Sequence, residues 1–200
     1  MQKTILSTLV AGLLISFTPY SNAKIIIGGA VGQSFSQRLE TIESQKIEIK
    51  DDTHFNLTIE KSITDAKYGL FYSKMSTQLK NQQDKKLDFN YLLFQSAIDF
   101  PVAKNVSGYF GAQLGINKIK PNWQDSDTYF AAGLYGGVEY HLTQATRVLF
   151  ETRWLSTIVD NNSKTTCDVA NKTTDTNCLW HLDGDLLNQF QTSVGVSYRF

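Results

Sequence analysis

The last fifteen residues, Leu186 to Phe200, alternate between two kinds of side chain. Phe190, Thr192, Val194, Val196, Tyr198 and Phe200 share one parity, and Gln189, Gln191, Ser193, Gly195, Ser197 and Arg199 share the other. A two-residue period puts these sets on opposite faces of a β-strand, one apolar and aromatic-tipped, one polar. The same period recurs in seven segments upstream. Residues 25–37 set Ile27, Val31 and Phe35 against Gly28, Ala30, Gly32 and Ser34. Residues 53–63 set Phe55, Leu57, Ile59 and Ile63 against His54, Asn56, Thr58, Glu60 and Ser62. The third run, 67–79, is ambiguous in facing, because Tyr68, Leu70 and Tyr72 share a parity with Lys74.

In the fourth run, 86–102, Leu92, Phe94, Ile98 and Phe100 oppose Gln95, Ala97 and Asp99. Asp88 and Asn90 interrupt its apolar face, which predicts an end that projects beyond lipid. The fifth sets Val106, Phe110, Ala112, Leu114 and Ile116 against Tyr109, Gly111, Gln113, Gly115 and Asn117. The sixth sets Phe130, Leu134, Val138, Tyr140 and Leu142 against Tyr129, Gly133, Tyr135, Gly137, Glu139 and His141. The seventh sets Val148, Phe150, Thr152, Trp154 and Ile158 against Arg147, Glu151, Arg153 and Thr157. Runs of about ten residues with this period are what a tilted membrane-spanning strand requires.

The connections carry a second rhythm. Residues 64–66, 103–105 and 143–145 are short polar turns, whereas 38–52, 80–85, 118–127 and 160–185 are longer and charged. Short and long alternate, as in an up-and-down barrel with tight turns in the periplasm and long loops outside. The pattern predicts an all-β chain, an eight-stranded antiparallel up-and-down transmembrane β-barrel. A ten-stranded reading, with residues 41–50 as part of an extra hairpin, competes with an extension of the first two strands above the lipid.

The other end of the chain supplies an address. Met1-Gln2-Lys3 is a short basic start, residues 4–17 are mostly apolar, and Ser21-Asn22-Ala23 offers small residues where a signal peptidase reads. This is the order of a secretory signal peptide, and the apolar stretch falls short of the ~20 residues a spanning helix needs. The expected organisation is a cleaved leader, 1–23, and one barrel domain, 24–200. With the leader removed, the 19 basic residues fall to 18 against 19 acidic ones. A near-neutral chain gives no reason to expect a nucleic-acid partner.

Here the chain resembles the small eight-stranded outer-membrane β-barrel proteins, the group holding the OmpA membrane domain and the OmpX/Ail-like and opacity-type barrels. The resemblance rests on the leader, the eight-strand rhythm and the closing Val194-x-Val196-x-Tyr198-x-Phe200. It implies the outer membrane of a Gram-negative bacterium and a terminal motif read by the barrel-assembly machinery. A monomer surrounded by lipid and lipopolysaccharide is expected.

Eight strands enclose a space that side chains fill. The inward set contains Glu60, Asp99, Glu139, Arg147, Glu151, Arg153 and Arg199, and buried charges need partners. Pairs across the lumen of Glu139 or Glu151 with Arg147 or Arg153 are therefore expected, forming a polar plug rather than the gate of a pore. Cys167 and Cys178 lie eleven positions apart in the longest loop, which in an oxidising compartment reads as a disulfide. A metal site built from Cys167, Cys178, His181 and Asp183 is the weaker alternative, since the spacing is not that of a zinc finger or ribbon. Lys80, Lys85, Lys86, Lys118 and Lys120 gather near the outer rim, where lipopolysaccharide phosphates would pair with them; ordinary solvated loop charge is an equal alternative.

No nucleophile, base and orienting group converge in the pattern, and the histidines are only His54, His141 and His181. No catalysis, cofactor or metal is expected. The expected role is structural or surface-interactive, in envelope integrity or in adhesion to an extracellular ligand through the loops. The alternatives are a narrow porin-like channel and, further off, a lipid A-modifying enzyme.

Overall fold

The computed structural model describes residues 24–36, 39–40, 46–47, 49–80, 82–123, 125–159 and 186–200. Its strands are β1 (Lys24–Ser36), β2 (Leu39–Glu40), β3 (Lys46–Ile47), β4 (Asp52–Ile63), β5 (Ala66–Leu79), β6 (Gln82–Ala103), β7 (Val106–Pro121), β8 (Asp127–His141), β9 (Thr146–Ile158) and β10 (Leu186–Arg199). Eight of them close into an antiparallel barrel in the order β1-β10-β9-β8-β7-β6-β5-β4. Strands β2 and β3 pair only with each other, so this part of the first loop forms a short separate ribbon and adds no barrel strand.

Closure is made by β1 and β10, paired from Ile26↔Arg199 to Ser36↔Gln189. Phe200 N donates to Ile25 O at 2.8 Å and secures the last residue of the seam. At one end, Ile63 pairs with Ala66 and Ala103 with Val106, leaving two-residue turns. Asn105 takes the left-handed φ of 64° that such a turn demands, which Asn tolerates better than most residues. This is the turn end; the opposite rim is the loop end.

Two of the expected long loops are shorter than the charge pattern suggested. Strand β6 begins at Gln82 and takes in Lys85 and Lys86, and β7 runs on to Pro121 through Lys118 and Lys120. Charge marks a loop only where a strand would bury it; these residues lie beyond the apolar band, and their strands continue as a wall facing water. The strict alternation of short and long connections therefore fails after β5, while the strand count stands.

The outward face is apolar around the whole barrel. Ile98 and Val196, for example, are 61% and 58% exposed, and Ile59, Leu70, Leu114, Leu134 and Phe150 lie at similar exposure on other strands. A continuous apolar belt is unfavourable in water and favourable in hydrocarbon. Facing in β5 is settled: Leu70 and Lys74 point outward, whereas Lys67, Phe71, Ser73 and Met75 are buried inside.

Strand β6 shows the parity changing its chemistry along the barrel. Toward the turn end, Leu92, Phe94 and Ile98 face out and Gln95 and Asp99 face in. Toward the loop end, Lys86, Asp88 and Asn90 face out and Leu87, Phe89 and Tyr91 are buried. Within lipid the apolar side chains belong outside; above it, where the exterior is water, they belong inside. The loop-end half of the lumen accordingly holds an apolar cluster including Phe71, Met75, Leu79, Phe89, Leu93 and Leu155, packed by Trp123 and by Ile49 from the first loop, beside buried polar side chains such as Asn117, Thr157 and Gln189. The polar plug expected from the sequence is joined toward the loop end by this apolar cluster.

A Phe94→Arg substitution, in the middle of the outward band, is expected to cost about 2–4 kcal/mol. The same change at Asp88, beyond the band, should cost under about 1 kcal/mol. Urea unfolding in lipid vesicles checks the difference, and equal costs at both positions would contradict the placement of the band.

Candidate functional site

The turn-end half of the lumen is a connected network of charged and polar side chains, each aimed inward by strand parity. Arg153, 1% exposed on β9, lies at its centre. Its Nε donates to Glu151 Oε1 and its Nη1 to Gln113 Oε1 and, at 2.8 Å, to Gln95 Oε1. The guanidinium lies 3.7 Å from the Phe71 ring centroid and 4.4 Å from that of Tyr135, so its faces meet aromatic surface while its edge donates. Gln95 Nε2 passes the chain on to Glu60 Oε1 at 2.8 Å, and Tyr109 OH donates to Glu151 Oε2 at 2.8 Å.

Nearer the turn end a second group forms around Glu139. Lys67 Nζ donates to Glu139 Oε1 at 2.7 Å and lies 3.7 Å from Asp99; Arg147 Nη1 donates to Glu139 Oε2. Lys67 also sits 3.6 Å from the centroid of Tyr109, which links this group to the Arg153 group. The cavity between them, beside Glu60 and Lys67, measures about 20 Å³, the scale of one ordered water. A polar layer at the turn end thus lies below an apolar cluster at the loop end.

Of the expected lumen charges, Glu60, Glu139, Arg147, Glu151 and Arg153 are buried in this network. Glu–Arg pairs form locally rather than across the lumen: Arg153 with Glu151 two residues away on β9, and Arg147 of β9 with Glu139 of the adjacent β8. Asp99 is at the partly exposed edge, and Arg199 is half-buried with no partner for its Nε. Lys67 was missed, because the ambiguous parity of the third run hid its inward direction. The aromatic Tyr68 and Tyr72, set outward, were the signal that would have resolved it.

On the outside, Lys86, Lys118 and Lys120 are exposed, and Lys74 joins them from β5. Register places Lys74, Asn90 and Lys118 in one row and Asp88 and Lys120 in the next. Lys80 follows β5 in the turn, and Lys85 lies over the Trp123 ring at 5.5 Å. The terminal Val194, Val196, Tyr198 and Phe200 all face outward, the last two rings in edge contact at 4.8 Å. Residues 1–23, Cys167, Cys178, His181 and Asp183 lie outside the described residues.

A recess of about 300 Å³ at the turn end is lined by Asp65, Asp99, Ser107 and His141, with Ser107 Oγ 2.8 Å from His141 Nε2. A hydrolytic triad also needs a group that orients the imidazole. Among the described residues, no hydrogen bond joins His141 to a carboxylate, and no three metal-ligating side chains converge.

Removing the guanidinium with Arg153→Met strands Glu151 in the lumen and should cost about 3–5 kcal/mol. Adding Glu151→Gln to that variant should return most of the loss. Unfolding of the four members of this cycle in vesicles measures the coupling; strictly additive costs would show that the pair is not a unit.

The comparisons with known proteins follow this geometry. Neisserial surface protein A has a TM-score of 0.62 at 14% identity, covering 90% of this chain and 100% of that one. The outer membrane protein AlkL gives 0.58 at 12%, covering 92% of each. OprG of Pseudomonas aeruginosa gives 0.52 at 14%, covering 89% and 96%. No curated protein sequence matches the chain. At these identities the structural likeness carries the barrel fold alone. The family model of the outer membrane protein β-barrel domain, however, matches residues 7–200. The chain belongs to this family of outer-membrane β-barrels, in the outer membrane of a Gram-negative bacterium.

Proposed function

We propose that the protein is a closed, non-enzymatic barrel that works through its outer surface, in envelope integrity or in adhesion through the loop end. One observation carries this reading: side chains fill the lumen along its length, with the Arg153 and Glu139 groups below and the Phe71–Leu155 cluster above. A barrel without a solute path has its exterior and its loops left to act with. The terminal Val194, Val196, Tyr198 and Phe200 suit recognition by the assembly machinery before the sheet closes. A Cys167–Cys178 disulfide would brace the longest loop against proteolysis, and alkylation without reductant should then leave both thiols unmodified.

The partner at the outer rim is lipopolysaccharide. Lys74, Lys86, Lys118 and Lys120 stand on adjacent strands just beyond the outward Leu92, Phe94, Leu114 and Ile116. An amphiphile with phosphates above acyl chains matches that order of charge and apolar surface. Reconstituted into planar bilayers, the protein should give no reproducible single-channel steps; steps of porin size would favour the channel reading instead. Replacing Lys86, Lys118 and Lys120 by Gln should weaken retention of lipopolysaccharide several-fold without loss of folding. Unchanged retention would mean that these lysines are merely solvated.

A further inference from the structure

The lipid-facing surface carries one charge where every neighbour is uncharged. Among the described residues, Lys61 is the only ionised side chain on the outward parity of the barrel strands between the turn end and the row of Lys74, Asn90 and Lys118. Its direction is fixed by its strand. Ile59 and Ile63, two residues away on either side, are 57% and 49% exposed, whereas the adjacent Glu60 is buried in the lumen. In register Lys61 lies between the outward Ile25 of β1 and Tyr68 of β5. No salt bridge joins it to Asp65 in the following turn or to any other described carboxylate. An ammonium group left in hydrocarbon is costly, and a lysine escapes the cost by running its apolar stem along the protein until the charge meets polar headgroups. Only Ile63 follows Lys61 on the outward face of β4, so the headgroups within its reach are those at the turn end.

The register row that contains Lys61 is a second, independent observation. Tyr68 pairs with Lys61 on one side and with Ser96 of β6 on the other. All three share the outward face, with Ser96 exposed and Tyr68 partly so. The Tyr68 ring lies 6.4 Å from that of Phe94, and among the described residues no hydrogen bond engages the hydroxyl of Tyr68 or of Ser96. Strand tilt makes such a row slope through the membrane. Lys61 and Tyr68 each stand two residues from the turn-end limits of their strands, Ile63 and Ala66, whereas Ser96 stands seven residues from Ala103. A cation and a phenol at headgroup level are thus followed by a hydroxyl deeper in the apolar belt. A glycerophospholipid has the complementary order: an anionic phosphodiester at the surface, ester carbonyls that accept hydrogen bonds below it, and acyl chains beneath.

We propose that Lys61 and Tyr68 bind the phosphodiester of a glycerophospholipid in the leaflet at the turn end, and that Ser96 donates to an ester carbonyl of the same molecule. The ammonium supplies a charge-assisted hydrogen bond to a phosphate oxygen, the phenol a second, and the acyl chains run over the outward Leu70 and Phe94. One lipid is thereby held across β4, β5 and β6. The site lies at the opposite end of the barrel from the lysines assigned to lipopolysaccharide and does not depend on that reading.

Solid-state NMR of the full protein in phosphatidylglycerol vesicles tests the assignment. The Lys61 side-chain nitrogen, identified as the signal that Lys61→Gln removes, should be dephased by lipid phosphorus, and Tyr68→Phe should reduce that dephasing. Ser96 Cβ should contact isotope-labelled lipid carbonyls and show no contact with phosphorus. An undephased Lys61 nitrogen would overturn the site, and phosphorus as close to Ser96 as to Lys61 would overturn the orientation of the lipid. In vesicles of a phosphorus-free galactolipid bathed in inorganic phosphate, Lys61 should show no dephasing; full dephasing there would overturn a lipid as the ligand. Correlation of the Lys61 side chain with its own backbone identifies the signal if Lys61→Gln does not fold.

Discussion

Closure of the sheet is the constraint on which the rest depends. Hydrocarbon offers no partner to a backbone N–H or C=O, so a sheet that crosses it cannot keep an edge. The pairing of β1 with β10, from Ile26↔Arg199 to Ser36↔Gln189, removes the two edges that β4 to β10 and β1 would otherwise present. Once the ring is closed, strand parity has no freedom left. Every second side chain enters the lumen and every other one meets the surroundings, and the sequence must suit both environments at each level.

The environments differ between the two halves, and the side chains follow. Next to the lipid, the outward positions are Leu, Ile, Val and Phe, and the lumen receives what lipid would not accept, including Glu60, Lys67, Glu139, Glu151 and Arg153. Charges confined there are tolerable because each has partners within reach, and removing one partner is far more costly than never having had the pair. Beyond the lipid the logic is that of a soluble barrel, with Lys86, Asp88 and Asn90 outside and Phe89, Tyr91 and Leu87 inside. One continuous strand, β6, serves both halves without a change of parity. The apolar cluster and the ion-pair network are therefore one consequence of closure, met in two solvents.

Much of this was legible in the sequence because period-2 alternation records facing directly. The eight barrel strands, the outward terminal side chains and the inward direction of Glu139, Arg147, Glu151 and Arg153 follow from it, whereas the local pairing of those charges does not. Most of what was not legible depended on information held outside any single strand. Gln82 to Lys85 looked like a loop because charge was read as a break, when only the position of the lipid boundary decides whether charge interrupts a strand. Lys67 was overlooked because Lys74 shares a parity with Tyr68, Leu70 and Tyr72, and that one charge masked an otherwise aromatic and apolar outward set. The apolar upper lumen escaped notice because Leu87, Phe89 and Leu93 lie on the polar parity of their strand and gain meaning only beside Phe71 and Leu155.

Quenching by brominated lipid of single tryptophans along β6, with the native tryptophans replaced by Phe, tests the central claim most directly. Tryptophan in place of Leu92 or Phe94 should be strongly quenched, and tryptophan in place of Phe89 or Tyr91 should be protected because both positions are buried inside the lumen. Quenching at positions 89 and 91 equal to that at 92 and 94 would contradict an apolar face that passes from the lipid side to the lumen.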